Sequence, residues 1–285
     1  MEDRQAMNAI KTGLLLAALT LLLLFGGQMI GGQQGLTLAL VMAVVMNFTA
    51  YFFSDKIALA MSGARAVTPA EAPRMYRITE GLCARAGLPM PRLYVIPQAQ
   101  PNAFATGRSP QKAAVACTAG LLESMEDDEL EGVIAHELAH IKNRDTLIMS
   151  VAATIAGAIT YLAWMGQWAL ILGSGRDRNN GGNALGALLM IILGPIAAML
   201  IQLAISRQRE YSADAAAARI VGHPFGLVKA LEKLGQYSRR IPMHNVQPAQ
   251  AHMYIVQPFA GGLAGLFSTH PPLEERVRRL QSLTI

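Results

Sequence analysis

Three stretches without a single Asp, Glu, Lys or Arg constrain what this chain can fold into: 43 residues between Lys11 and Asp55, 30 between Asp145 and Arg176, and 28 between Arg178 and Arg207. A helix that crosses the apolar core of a bilayer needs about 20 mostly apolar residues. The first stretch is twice that length and is broken by Gly31-Gly32-Gln33-Gln34-Gly35. It predicts two spanning helices, over 12–30 and 36–53, joined by a short turn. A cleaved signal peptide is the alternative, since Arg4 and Lys11 precede the apolar run, but no small-residue cleavage site follows Phe25 and a second span comes at once. Segments 147–172 and 184–205 predict a second hairpin around Gly173–Asn183. Small residues at 151–158 let helix backbones approach in lipid. Trp164 and Trp168 sit toward the far end of that segment, where interfacial aromatics gather, and Pro195 kinks the fourth helix. Buried core helices of a soluble fold are the plainer alternative for this second pair.

The other 184 residues carry all 24 basic and 19 acidic side chains, an ordinary proportion for a soluble domain. The expected organisation is therefore an N-terminal transmembrane hairpin (1–55), the first part of a soluble domain (56–145), a second transmembrane hairpin (146–206) and the second part of the soluble domain (207–285). A purely soluble enzyme and a disordered chain are both excluded. With the N-terminus inside, the inner flanks hold nine basic residues (Arg4, Lys11, Lys56, Arg65, Lys142, Arg144, Arg207, Arg209, Arg219) and the outer turns hold two, Arg176 and Arg178. That asymmetry places both soluble parts in the cytoplasm. The net charge of +5 is no sign of nucleic acid, because no basic run is interleaved with aromatics. Cys83 and Cys117 are too few for a disulfide framework and read as small core residues of a reducing compartment.

Within the soluble parts, a helix is predicted over 69–86, with proline at its start and Gly87 just past its end. Arg92–Ile96 and Ala113–Cys117 read as short strands, and Asn102–Gly107 as a further strand or edge segment. Ser124 is expected to open a helix with Asp127 in capping-box register. Helical stretches follow over 206–221 and 224–238, then a Pro/Gly-rich loop over 241–266, then an amphipathic helix over 272–283. The fold class is thus a mainly α membrane protein, with four transmembrane helices in two hairpins and a soluble α+β domain with a small sheet.

The sharpest chemical signal is His136-Glu137-Leu138-Ala139-His140. Histidines four apart share a helix face, so both imidazoles can reach one ion, and Glu137 lies within reach of a water bound there. Zinc suits neutral imidazoles, and its open position acidifies that water. The pattern arises by chance roughly once in 200 chains of this composition. A third ligand must come from the carboxylates or the remaining histidines. Glu210 stands out, with Asp214 one turn later to accept a hydrogen bond from a ligand imidazole, although such pairs abound on solvated helices. Topology favours Glu210. His140 precedes the third span and Glu210 follows the fourth, so two crossings return the chain to one membrane face, whereas an odd number would part the ligands by about 30 Å. His223, His244 and His252 lack helpful spacing. Asn102, Ala103 and Phe104 are candidates for an edge strand to which an extended peptide adds.

Asn-Ala-Phe-Ala-Thr-Gly (102–107), His-Glu-Leu-Ala-His (136–140), Arg-Glu-Tyr-Ser-Ala-Asp (209–214) and Thr-His-Pro-Pro (269–272), with four hydrophobic segments, resemble the HtpX-type membrane zinc metalloproteases, relatives of the CaaX prenyl proteases and the OMA-type proteases. The resemblance covers nearly the whole chain. It implies a zincin-like catalytic domain on the cytoplasmic side of the bacterial inner membrane, and one Zn²⁺ per chain. It also implies polypeptide substrates, damaged or misassembled membrane proteins among them, often under stress. In this reading His136, His140 and Glu210 hold zinc, Glu137 is the general base, and His270 donates to the oxyanion or contacts substrate, although Thr-His-Pro-Pro also suits a helix cap. A membrane scaffold with a structural zinc site, a transporter and a prenyl-protein protease are the competing readings. The absence of a full protein ligand set, the lack of ionisable residues within the spans and the small number of spans weigh against them in turn.

Overall fold

The structure of the chain is a computed structural model, which describes residues 2–156, 159, 207–240, 253–255 and 271–284. The first helix, α1, runs from Glu2 to Met61 over 60 residues and would extend about 90 Å if straight. It folds back on itself. The Asn47 amide donates to the Thr20 hydroxyl at 2.7 Å, although 27 residues of straight helix would part them by about 40 Å. Gly27 and Gly35 approach so closely that a Cβ on either would overlap the carbonyl of the other. Gly32, at φ +54°, lies in the reversal, where only glycine adopts such a backbone freely. The expected hairpin is present, but its arms are longer than 12–30 and 36–53.

The arms hold two apolar stretches long enough to cross a membrane, Ala6–Phe25 and Gly32–Met61. Leu14, Leu21, Phe25, Leu38, Val44 and Phe48 face outward, an apolar surface too extensive to sit in water. Leu15, Leu19 and Ala50 turn inward against Ile148, Val151, Ala152 and Ile155. The last four belong to a short apolar helix, α5 (Thr146–Ala156). The start of the third hydrophobic segment therefore packs on the first hairpin. Its remainder and the whole fourth segment, with Trp164, Trp168 and Pro195, lie outside the described residues, as does most of the 241–266 loop. Two candidate spans are placed, not four.

Beyond the hairpin come β1 (Arg65–Ala66), α2 (Pro73–Ala86), β2 (Arg92–Ile96), β3 (Ala103–Thr106), β4 (Ala114–Thr118), α3 (Ala119–Ser124) and α4 (Asp127–Lys142), then α6 (Arg207–Val221), α7 (Phe225–Arg240) and α8 (Leu273–Gln281). Proline at N1 starts α2, and Gly87, at φ 66°, stops it by returning its N–H to the Cys83 carbonyl. The helix begins at Pro73, four residues later than expected. The four strands form one mixed sheet in the order β1-β2-β4-β3, with β2 parallel to β4 and the other pairs antiparallel. Phe104 lies opposite Ala116, and β3, from the 102–107 segment, is one of the two edge strands of the sheet, β1 being the other. Strand β1 was not foreseen; two exposed residues carry no alternating apolar signal.

One cap also differs. Ser124 does not open α4 but closes α3, which Thr118 caps by accepting the Leu121 N–H. The capping box of α4 is Glu126 with Glu129, because α3 uses up the residues that would have begun it. Helix α4 is central. It is buried continuously from Gly132 to Ile141 and packs between α7, α6 and the sheet. A Cβ on Gly132 would stand 2.4 Å from the Leu227 backbone nitrogen, and one on Gly226 would stand 2.0 Å from the Asp128 carbonyl. Two backbones touch here, and that contact sets the axial position of the helix bearing both histidines.

Gly132→Ala should therefore cost about 1–3 kcal/mol by overpacking, read as a lower thermal midpoint of the detergent-solubilised protein. Gly81→Ala, on the exposed face of α2 with nothing within 4 Å, should instead raise the midpoint slightly, by up to about 1 kcal/mol.

Candidate metal centre

Helix α4 turns His136 and His140 to one face. Their rings lie 4.7 Å apart, edge to face, and their Nε2 atoms are 3.2 Å apart. Helix α6 faces them and buries Glu210, Ala213, Asp214, Ala217 and Ala218. Its small residues bring the backbone close enough for one carboxylate to span both rings: Glu210 Oε1 is 3.5 Å from His140 Nε2, and Oε2 is 3.7 Å from His136 Nε2. These three donors form the one His/Cys/Asp/Glu cluster of metal-binding geometry among the described residues. Ligands about 2.0–2.1 Å from a tetrahedral zinc are separated by about 3.3 Å. The observed spacings match that tetrahedron.

The outer hydrogen bonds explain why the donors face inward. His136 Nδ1 meets Asp214 Oδ1 at 2.9 Å, and His140 Nδ1 meets Asp145 Oδ2 at 3.3 Å. A proton held on each Nδ1 leaves both Nε2 lone pairs aimed at one point and at Glu210. Three lone pairs converging without a cation repel one another. Charge leads to the same conclusion. Glu137, Glu210, Asp214 and Asp145 are buried beside two buried guanidiniums, Arg209 and Arg276. Four carboxylates against two guanidiniums leave two negative charges, which one divalent cation cancels. His136, His140 and Glu210 thus fit Zn²⁺ both by donor type and by charge.

Without the cation, protons take its place. Burial pulls the His140 imidazole down, but Asp145, Glu210 and Glu137 outweigh it and raise its pKa to about 9. Burial, assisted by the Glu210 charge, lifts Glu137 to about 7 against the pull of His140, the Ala105 N–H and Arg276. Burial pulls His136 below its ordinary value, with help from Arg276 and His140, although Asp214 opposes this.

Sequence reasoning pointed to the three donors that the structure brings together and to the Asp214 contact. It missed Asp145, which follows His140 by five residues at the break between α4 and α5. A carboxylate just past a ligand helix was the available signal. It also missed Arg276, fully buried on α8, which donates to Asp214 from Nε at 2.9 Å and Nη2 at 2.7 Å, and to the Ile255 carbonyl at 3.0 Å. No local pattern marks an arginine for burial.

The edge-strand residues are placed less simply. Asn102 is buried, exchanging hydrogen bonds with Thr118 through its backbone and accepting the Ala103 N–H on its side chain. Phe104 is buried too, its ring 5.3 Å from that of Tyr254. Neither side chain reaches a surface that a peptide can touch. The outward backbone of β3 is in use: the Ala103 carbonyl accepts the Ile255 N–H at 3.0 Å, and the Ala105 N–H serves the Glu137 carboxylate. His270, His244 and His252 lie outside the described residues, whereas His223 stacks on Phe225 at the start of α7.

Known proteins share this architecture. Protease HtpX homologs from Desulfatibacillum aliphaticivorans and Pyrococcus furiosus are 56% and 52% identical to the chain, covering 96% and 97% of it and 89% and 96% of their own lengths. The crystal structure of S. mikatae Ste24p superposes with a TM-score of 0.52 at 20% identity, over 98% of this chain and 67% of that one, a likeness of fold. The model of peptidase family M48 matches residues 69–284, which include both histidines, Glu210 and Arg276. A buried His-His-Glu cluster of zinc geometry within that match makes the chain a member of peptidase family M48, of the zinc-dependent HtpX type.

Proposed function

We propose that the chain is a membrane-anchored endopeptidase that hydrolyses peptide bonds of misfolded or damaged membrane proteins at the cytoplasmic face of the membrane, with Glu137 as general base. The observation that carries this reading is a buried carboxylate beside a three-donor cluster. Three protein donors leave a coordination position open, as in catalytic rather than structural zinc sites.

When bound, Zn²⁺ supplies Lewis acidity, which acidifies water and polarises a carbonyl. Glu137 takes a proton from the attacking water and passes it to the leaving amine. The Ala105 N–H orients its carboxylate, and a pKa near neutrality suits both halves of that transfer. Asp214 and Asp145 hold the two imidazoles in the tautomer that offers Nε2. His270, three residues before Leu273 at the start of α8 with Pro271 and Pro272 between, is the second donor to the developing oxyanion. The substrate adds in extended form beside β3, which requires Ile255 to release the Ala103 carbonyl.

Four spans in two hairpins set this site at the membrane. Both arms of α1 return to the soluble half: Asn8 reaches Asp145, and Leu59 packs with Phe104 and Ile96. An even number of crossings before the site puts it on the same side as the N-terminus, and the basic flanks make that side the cytoplasm.

Glu137→Gln should lower cleavage of a detergent-unfolded membrane protein by about 10²–10⁴-fold while zinc stays at one per chain; parent-like cleavage would remove Glu137 from the role of base. The metal-free protein should lose thermal stability as pH rises from 7 to 9. His140 is raised from 6.5 to about 9, so the stability of its protonated form is present below the unfolded pKa and disappears as pH passes the folded one. Zinc should abolish that loss and release a proton on binding, measurable by calorimetry in buffers of different ionisation enthalpy. Cysteines introduced at Gly32 and Asn180 should react with a membrane-impermeant maleimide from the outer side, over a low background because Cys83 and Cys117 are buried. Reaction from the cytoplasmic side alone would reverse the orientation.

A further inference from the structure

Asn8 lies near the start of the first apolar stretch, Ala6–Phe25, yet is only 5% exposed. Its side chain is fully used. Nδ2 donates to Asp145 Oδ1 at 2.9 Å and to the Arg144 carbonyl at 3.3 Å. Oδ1 accepts from Arg209 Nη2 at 2.6 Å. Each partner adjoins the metal cluster. Asp145 turns its other oxygen, Oδ2, to His140 Nδ1. Arg209 directly precedes Glu210 and also approaches Asp145 Oδ1, at 3.7 Å. Arg144 holds a left-handed backbone, φ 56°, the one such non-glycine among the described residues, and Asn8 fastens its carbonyl.

An amide suits this position for a chemical reason. It must donate twice, to a carboxylate and a carbonyl, and accept from a guanidinium at once, and among neutral side chains only Asn and Gln carry two donors beside an acceptor. A carboxylate there would face Asp145 with like charge. An apolar residue would leave a buried carboxylate and a buried guanidinium each short of a partner.

We infer that Asn8 is a positioning residue of the metal centre. It reaches from the first membrane helix to set His140 through Asp145, and Glu210 through Arg209. The metal site is then complete only when the N-terminal arm of the hairpin is docked, so the membrane anchor governs zinc retention as well as location. This rests on the reading of His136, His140 and Glu210 as zinc ligands. It does not depend on which substrate is cleaved.

The test is zinc affinity of the full chain in detergent, by competition with a chromophoric chelator, together with the visible spectrum of the Co²⁺-substituted protein. Asn8→Ala should weaken zinc by up to about 10-fold, the low end of what loss of a ligand's own hydrogen-bond partner costs, because Asn8 acts one step further out through Asp145, and shift the Co²⁺ bands. Asn47→Ala removes a hydrogen bond of the same hairpin away from the site and should leave both readouts unchanged. Asn8→Asp should weaken zinc further, and adding Asp145→Asn to it should restore part of the loss by returning an amide–carboxylate pair with the roles exchanged. That rescue also serves if Asn8→Ala does not fold. Parent-like affinity in Asn8→Ala, equal losses in Asn8→Ala and Asn47→Ala, or no rescue in the exchanged pair would each overturn the inference. If the parent binds zinc and Asn8→Ala weakens it, but zinc-loaded parent cleaves nothing, the proteolytic reading fails while the positioning role stands.

Discussion

The buried charge balance around His136 and His140 is the constraint on which the rest of this structure depends. Isolated carboxylates are expensive to bury, and four of them meet here within one helix packing. They are tolerable because Arg276 grips Asp214 with two nitrogens, Arg209 lies beside Asp145, and a divalent cation neutralises the remainder. Removing any one partner leaves a charge with no water to receive it. The surrounding elements are therefore tied to the site: α8 delivers Arg276, α6 delivers Arg209, Glu210 and Asp214, and the α4–α5 junction delivers Asp145.

That constraint joins the membrane and soluble halves. Hydrophobic segments separate the His136–His140 helix from Glu210 in sequence, yet α4 and α6 supply different donors to one cluster. The described part of α5 packs on the first hairpin through Ile148, Val151 and Ile155, while Thr106 and Ser150 share a hydrogen bond at 2.6 Å between sheet and helix. A zinc site assembled across such a seam senses how the seam is closed.

Met253–Ile255 bears on access to the site. Tyr254 packs on Phe104, the Ile255 N–H takes the Ala103 carbonyl, and the Ile255 carbonyl takes Arg276. The same short segment thus joins the sheet edge, the arginine that clamps Asp214 and, through Met253 and Tyr254, the apolar cluster that contains Leu59 of the hairpin. An extended peptide adding to β3 meets this segment first.

Much of this was legible without coordinates, because the relevant physics is local or periodic. Uncharged runs mark apolar helices by length, histidines four apart share a helix face, and Gly87 stops α2, although Pro73 and not Pro69 starts it. That Glu210 comes back to His140 was an expectation counted from two apolar segments between them; the structure brings the two side chains together, while most of those segments lie outside the described residues. What the chain could not disclose is which groups answer the buried charges. Asn8 lies 137 positions from its partner Asp145, and Arg276 lies 62 positions from Asp214. Neither residue carries a pattern that separates it from solvated neighbours. Spacing along a helix determines which side chains share a face; only packing decides which distant side chain is close enough, and dry enough, to complete the hydrogen bonds of that face.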